Sequence, residues 1–119
     1  MKNFLAIYLG AMHDDAFKKW NEMPEEERKA KEKEGMAAWG KWMMDHQSAV
    51  VEMGGPLGKT KRADKNGVSD IKNAMSGYVV VRAESHEAAA KMFENHPHFM
   101  IFPGESVEIM EVLPMPKIE

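Results

Sequence analysis

Apolar residues occupy odd and even positions alike in Phe4-Leu5-Ala6-Ile7-Tyr8-Leu9, the pattern of a strand buried on both sides, and Gly10 closes it. Tyr78 to Val81, within a strand running to Ala83, has the same two-sided character. The last strand differs: Val107, Ile109 and Glu111 alternate with Glu108, Met110 and Val112 before Pro114 and Pro116 end regular structure.

Helical periodicity fills the intervals. Met12 to Asn21 reads as a loop or short helical turn, and Met23-Pro24-Glu25-Glu26-Glu27 then opens a long helix, with proline and acids where the first turn favours them. Its first half is nearly all charge, with Glu25 to Lys29, Glu27 to Lys31 and Arg28 to Glu32 at i,i+4 spacing, and should lie in water. From Met36 an apolar stripe begins: Met36, Trp39, Met43 and His46, with Trp42 and Val50 close by.

Ala49 to Met53 forms a second strand, ended by Gly54-Gly55-Pro56. Leu57 to Ala63 and Val68 to Ile71 flank Asp64-Lys65-Asn66-Gly67, a strong hairpin signal. Ser85 has the chemistry of an N-cap for a short helix whose buried stripe is Ala88, Ala89, Met92 and Phe93, stopped by Asn95 and Pro97. The order is β-α-β followed by β-α-β, with a hairpin inserted between the halves. It predicts an α+β ferredoxin-like sandwich, an antiparallel sheet with two helices on one face. Two helices cannot cover both faces of so apolar a sheet, so the other face calls for a partner.

Composition changes this picture little. The 119 residues suit a single domain spanning 1–119. Sixteen Lys and Arg against 19 Asp and Glu give a net charge of -3, which offers no general attraction for nucleic acid or an anionic membrane. The absence of cysteine removes disulfides, thiolate nucleophiles and cysteine metal sites, and fits a reducing, cytoplasmic setting. The apolar N-terminal run is too short to span a membrane and lacks a signal-type cleavage pattern. Twelve methionines suit an adaptable core or a pocket wall.

The motifs then resemble a known family. Gly54-Gly55-Pro56-Leu57, the Asn66-Gly67 hairpin, Ser76-Gly77-Tyr78-Val79-Val80-Val81, Ser85-His86-Glu87-Ala88-Ala89 and Gly104-Glu105-Ser106-Val107-Glu108-Ile109 fall in the order seen in YCII-related (DGPF) domain proteins. That resemblance implies a dimeric α/β barrel, a homodimer whose subunits pack their open sheet faces together and leave a cleft between sheet and helices. One branch of the family uses a His-Asp pair, and one looks like a dehydrochlorinase. The chain departs from the pattern at three places: Gly67-Val68-Ser69-Asp70 stands where Asp-Gly-Pro-Phe would fall, Trp39 where the branch has its helical histidine, and His96 where it has its aspartate.

Candidate chemistry lies in the histidines and rings. His96 and His98 flank Pro97 in what reads as an extended turn, so their rings could project to one side, with His46, His13 or Asp45 as partners for a metal or acid-base site. The ordinary alternative is helix termination and dipole stabilisation. His46 shares the stripe of Trp39 and Met43 and is either a base facing the cleft or a satisfied helix-end residue. Tyr8, Trp39, Phe99 and Phe102 could line a pocket for a planar molecule, with His13 at its mouth, whereas Trp42 reads as core. No metal spacing, phosphate loop or dinucleotide glycine signature occurs, so no metal or cofactor is implied. The lysines of the hairpin are read as guards of an exposed edge, since the aromatic pattern of RNA binding is missing. Two functions stand: a small-molecule-binding homodimer acting as a cofactor-free lyase or isomerase through His46, His96 or His98, and a non-catalytic accessory domain whose sheet face serves only oligomerisation.

Overall fold

The computed structural model describes residues 1–10 and 14–117. Four strands, β1 (Lys2–Leu9), β2 (Val50–Pro56), β5 (Met75–Ala83) and β6 (Ser106–Glu111), form one sheet in the order β2-β5-β1-β6. Every neighbouring pair is antiparallel. This is the ferredoxin-like arrangement. The inserted hairpin, β3 (Thr60–Asp64) and β4 (Gly67–Ile71), is a separate two-stranded ribbon.

Alternation along the central strands separates the two faces of the sheet. Phe4, Ala6 and Tyr8 of β1 stand opposite Val81, Val79 and Gly77 of β5, and all six are buried beneath the helices. The helices that cover them are α2 (Glu25–Asp45) and α3 (His86–Lys91), which bring Trp42 and Ala89 into the core, with Phe93 just beyond α3. On the other face Leu5, Ile7, Leu9, Tyr78 and Val80 are only half-buried, and Met110 is exposed. Among the described residues no helix covers that face.

The long helix behaves as its charge pattern requires. The segment from Glu25 to Glu34 is in water, and the ion pairs Glu25–Lys29 (3.1 Å) and Arg28–Glu32 (4.0 Å) decorate it. Such exposed pairs each contribute a few tenths of a kcal/mol, roughly 0.2–0.5. Burial begins at Gly35 and peaks at Trp42, whose indole N–H donates to the Met92 carbonyl at 2.9 Å.

Several elements differ from the sequence expectation. The segment after β1 contains a regular helix, α1 (Asp15–Glu22), which buries Trp20 against Phe102 at 5.8 Å between ring centroids. Strand β2 runs on through the glycine pair to Pro56, because Gly54 adopts a left-handed φ of 63° in a bulge that lets pairing with β5 resume. Ala88 is exposed, since α3 turns only Ala89 squarely onto the sheet. The His-Pro-His segment is not extended: Pro97 starts a short helix, α4 (Pro97–Met100), with His96 as its cap. Alongside the expected pair of helices, α1 and α4 thus add two more.

The hairpin accounts for an elongated outline of 59 × 42 × 19 Å. The radius of gyration is 16.6 Å, against about 13.5 Å for a compact domain of this length. Residues 61–70 are all exposed, so the ribbon is held by its own ladder, by Lys61–Asp70 at 2.7 Å and by the Asn66 N–H donating to Asp64.

Candidate functional site

Between the sheet and α2 lies a cleft of about 470 Å³. Its floor is Tyr8 from β1 with Ser76, Gly77 and Tyr78 from β5. Met36, Trp39 and Met43 form the α2 wall, Met53 to Pro56 the β2 wall, and His98 and Phe102 close the remaining side. No charged side chain is among these residues. A second hollow, of about 540 Å³, is bounded by Asp14 to Ala16 and Pro103 to Glu105. It brings no aromatic or imidazole group from the described residues, so the chemistry converges on the first.

Tyr8 is at the centre of a cluster of rings. Its centroid is 4.9 Å from Trp39 and 5.2 Å from both His96 and His98, and Trp39 meets His96 at 4.6 Å. The local chain explains the convergence. Alternation on β1 turns Tyr8 toward the helices. After α3, Asn95 takes a left-handed φ of 59° that asparagine tolerates, and this redirects the backbone so that His96 enters the core.

His96 is completely buried and both of its ring nitrogens are engaged. Nδ1 accepts from the His98 backbone N–H at 3.0 Å, so in the neutral ring the proton is on Nε2, which faces the Tyr8 hydroxyl at 3.5 Å. Burial, with smaller contributions from the charges of His98 and His46, holds His96 down at about 4. It is neutral at physiological pH.

His98 is held by its Nε2, which donates to the Leu9 carbonyl at 2.8 Å. Burial lowers its pKa, partly offset by that hydrogen bond. The tautomer leaves Nδ1 as a lone-pair acceptor. It has no hydrogen-bond partner among the described residues, and every fully buried side-chain nitrogen or oxygen among them does have one, so Nδ1 is not fully enclosed. The cleft is the space that His98 borders. Gly104 backs the ring so closely that a Cβ there would strike Cε1 and Nε2.

The expected site residues therefore divide. Tyr8, Trp39 and His98 meet at the cleft, and His96 sits behind Tyr8 as a buried support. His46 is elsewhere: it caps α2, stacks on Trp42 at 4.4 Å and donates through Nδ1 to the Trp42 carbonyl at 2.8 Å. Trp42 lies between it and His96. Phe99 is half-buried outside the cleft, because the α4 turn presents Phe102 instead. His13 lies outside the described residues. Glycine and methionine along β2 also line the cleft. Their signal in the sequence was the Met53-Gly54-Gly55-Pro56 run, which reads as a terminator unless the bulge is known.

No family model matches the chain, and no curated protein matches it. Among solved structures, the chain is similar to 5-chloro-2-hydroxyhydroquinone dehydrochlorinase (TftG) from Burkholderia phenoliruptrix AC1100, in complex with 2,5-dihydroxybenzoquinone. Identity is 16%, the match covers 91% of this chain and 90% of that one, and the TM-score is 0.50. The likeness is one of fold, a ferredoxin-like α+β unit.

Proposed function

We propose that the protein is a YCII-related homodimer that binds a small planar organic molecule in the cleft between sheet and α2, with cofactor-free lyase or isomerase chemistry at that site. The observation that carries this reading is the convergence of Tyr8, Trp39 and His98 on one largely apolar cavity of about 470 Å³, a size suited to a small ligand. A structural neighbour of similar length that acts on a ring of this kind supports the class of ligand. Of the three candidate histidines, His98 is the one that lines the cleft and would serve as the base; His96 would position Tyr8, and His46 would serve the helix end.

The test is a binding titration of hydroquinones and benzoquinones against the purified protein, followed by tryptophan fluorescence. Saturable binding at one molecule per chain is expected, weakened more than roughly tenfold in Trp39→Ala, since a stacked aromatic wall contributes on this scale. Absence of saturable binding, or an unchanged affinity in Trp39→Ala, would favour the second reading, an accessory domain whose open sheet face serves only association. Loss of substrate over time in wild type, and its disappearance in His98→Gln, would distinguish catalysis from binding.

A further inference from the structure

We propose that the cleft selects a neutral aromatic hydroxyl group, which accepts a hydrogen bond from the Tyr8 hydroxyl and donates one to His98 Nδ1, and that it excludes the corresponding anion. The proposal deepens the small-molecule reading above and rests on it.

The hydrogen-bond chain fixes both polarities. The His98 backbone N–H donates to His96 Nδ1, so neutral His96 can only donate from Nε2, and at 3.5 Å its nearest acceptor is the Tyr8 oxygen. Tyr8 is then on the receiving end of that contact, and its own hydroxyl hydrogen has no acceptor among the described residues. A buried donor left unspent is costly, and Tyr8 is only 5% exposed while lining the cleft. His98 is the complement: with Nε2–H committed to the Leu9 carbonyl, its Nδ1 can only accept. One donor and one acceptor, on neighbouring rings whose centroids are 5.2 Å apart, have the polarity that a single hydroxyl complements, since it both accepts and donates.

Charge follows from the same inventory. Among the described lining residues there is no lysine or arginine to neutralise a phenolate or carboxylate, and the His98 lone pair would face it directly. Burial keeps Tyr8 as a phenol, pushing it well above its ordinary range, so the donor does not ionise away. A neutral hydroxyl satisfies both groups and introduces no buried charge.

Calorimetric titration of the full chain with 2-naphthol, 2-methoxynaphthalene and 2-methylnaphthalene separates the possibilities, because one ring carries in turn both functions, an acceptor only, and neither. The naphthol is expected to bind tightest, each lost hydrogen bond weakening affinity by roughly 3- to 10-fold. In Tyr8→Phe the advantage of the naphthol and the ether over the hydrocarbon should shrink, while hydrocarbon affinity stays the same. 4-Nitrophenol, which ionises near neutral pH, should show the absorbance of its neutral form when bound. Equal affinity for the three naphthalenes, a preference undiminished in Tyr8→Phe, or binding of 4-nitrophenol as its anion would each overturn the proposal while leaving the cleft a ligand site. If none of these rings binds, the small-molecule reading fails and this proposal fails with it. The wild-type series needs no variant, so a poorly folded Tyr8→Phe does not rescue the idea.

Discussion

The rings of Trp39 and His96 meet edge to face, with centroids 4.6 Å apart and planes at 87°. His96 is enclosed on its other sides by Tyr8, Trp42, Phe93 and His98, a setting that brings no carboxylate from the described residues to favour the imidazolium.

Acid should therefore destabilise the fold through this residue. The folded-state pKa of His96, about 4, lies below its unfolded value of 6.5, so the unfolded chain binds the extra proton between these pH values. The stability due to a neutral His96 is complete above pH 6.5 and lost as pH falls toward 4. The loss is on the order of 2–3 kcal/mol, with His98 acting in the same direction. Urea midpoints measured between pH 7.5 and 4.5 should fall in wild type and fall less in His96→Leu; parallel curves would contradict this origin.

Gly104→Ala should damage the site more than the sheet. A methyl at this position collides with the His98 ring and carbonyl, so the ring must leave its bond with the Leu9 carbonyl. A cost of about 1–3 kcal/mol is expected from overpacking, with weaker ligand binding at unchanged sheet content by circular dichroism. Gly54→Ala combines a left-handed φ of 63° with a clash against the Tyr78 carbonyl, and should cost at least as much while disturbing the β2 wall.

The uncovered sheet face predicts association. Leu5, Ile7, Leu9, Val80 and Met110 form an apolar strip that a second copy would bury, and a stable interface hides about 800 Å² on each partner. Sedimentation should give a dimer, and Leu5→Lys combined with Val80→Lys should give a monomer that retains helical content. A wild-type monomer at high micromolar concentration would rule the pairing out.

Ser85→Ala should cost about 1 kcal/mol, because its Oγ accepts the Ala88 N–H at 3.1 Å and α3 has only six residues to hold itself. Thermal melting reads this directly; no change in midpoint would mean the turn is held by Ala89 and Phe93 instead.

The sequence made the sheet legible because period-two alternation and turn residues act locally. Phe4 to Leu9, Tyr78 to Ala83, the Asn66-Gly67 turn and the Ser85 cap all appear where local chemistry puts them. The charged half of α2 was legible for the same reason. The site was only partly so, since it depends on where loops bring side chains. Trp39 could be placed from its helical stripe and Tyr8 from its strand. His46 has the same stripe, yet it lies where α2 ends, and Trp42 captures its ring and its proton. The choice of Phe102 over Phe99 turns on the α4 turn, which follows from His96 capping the chain that Asn95 redirects, a tertiary event invisible to periodicity. The continuation of β2 through Gly54 needs a bulge whose only local sign is glycine itself.

The β3–β4 ribbon leaves and rejoins the sheet at a single point. The Leu57 N–H donates to the Ser76 carbonyl at 3.0 Å, and Pro56 stands opposite Gly77, so the two ends of the insertion are already stitched together. Cutting out the ribbon and bridging Leu57 to Ser76 with a tight turn would leave β2 and β5 as an ordinary meander. The insertion is thus closed at its own base, and no residue of the ribbon lines the chamber that Tyr8 and His98 define.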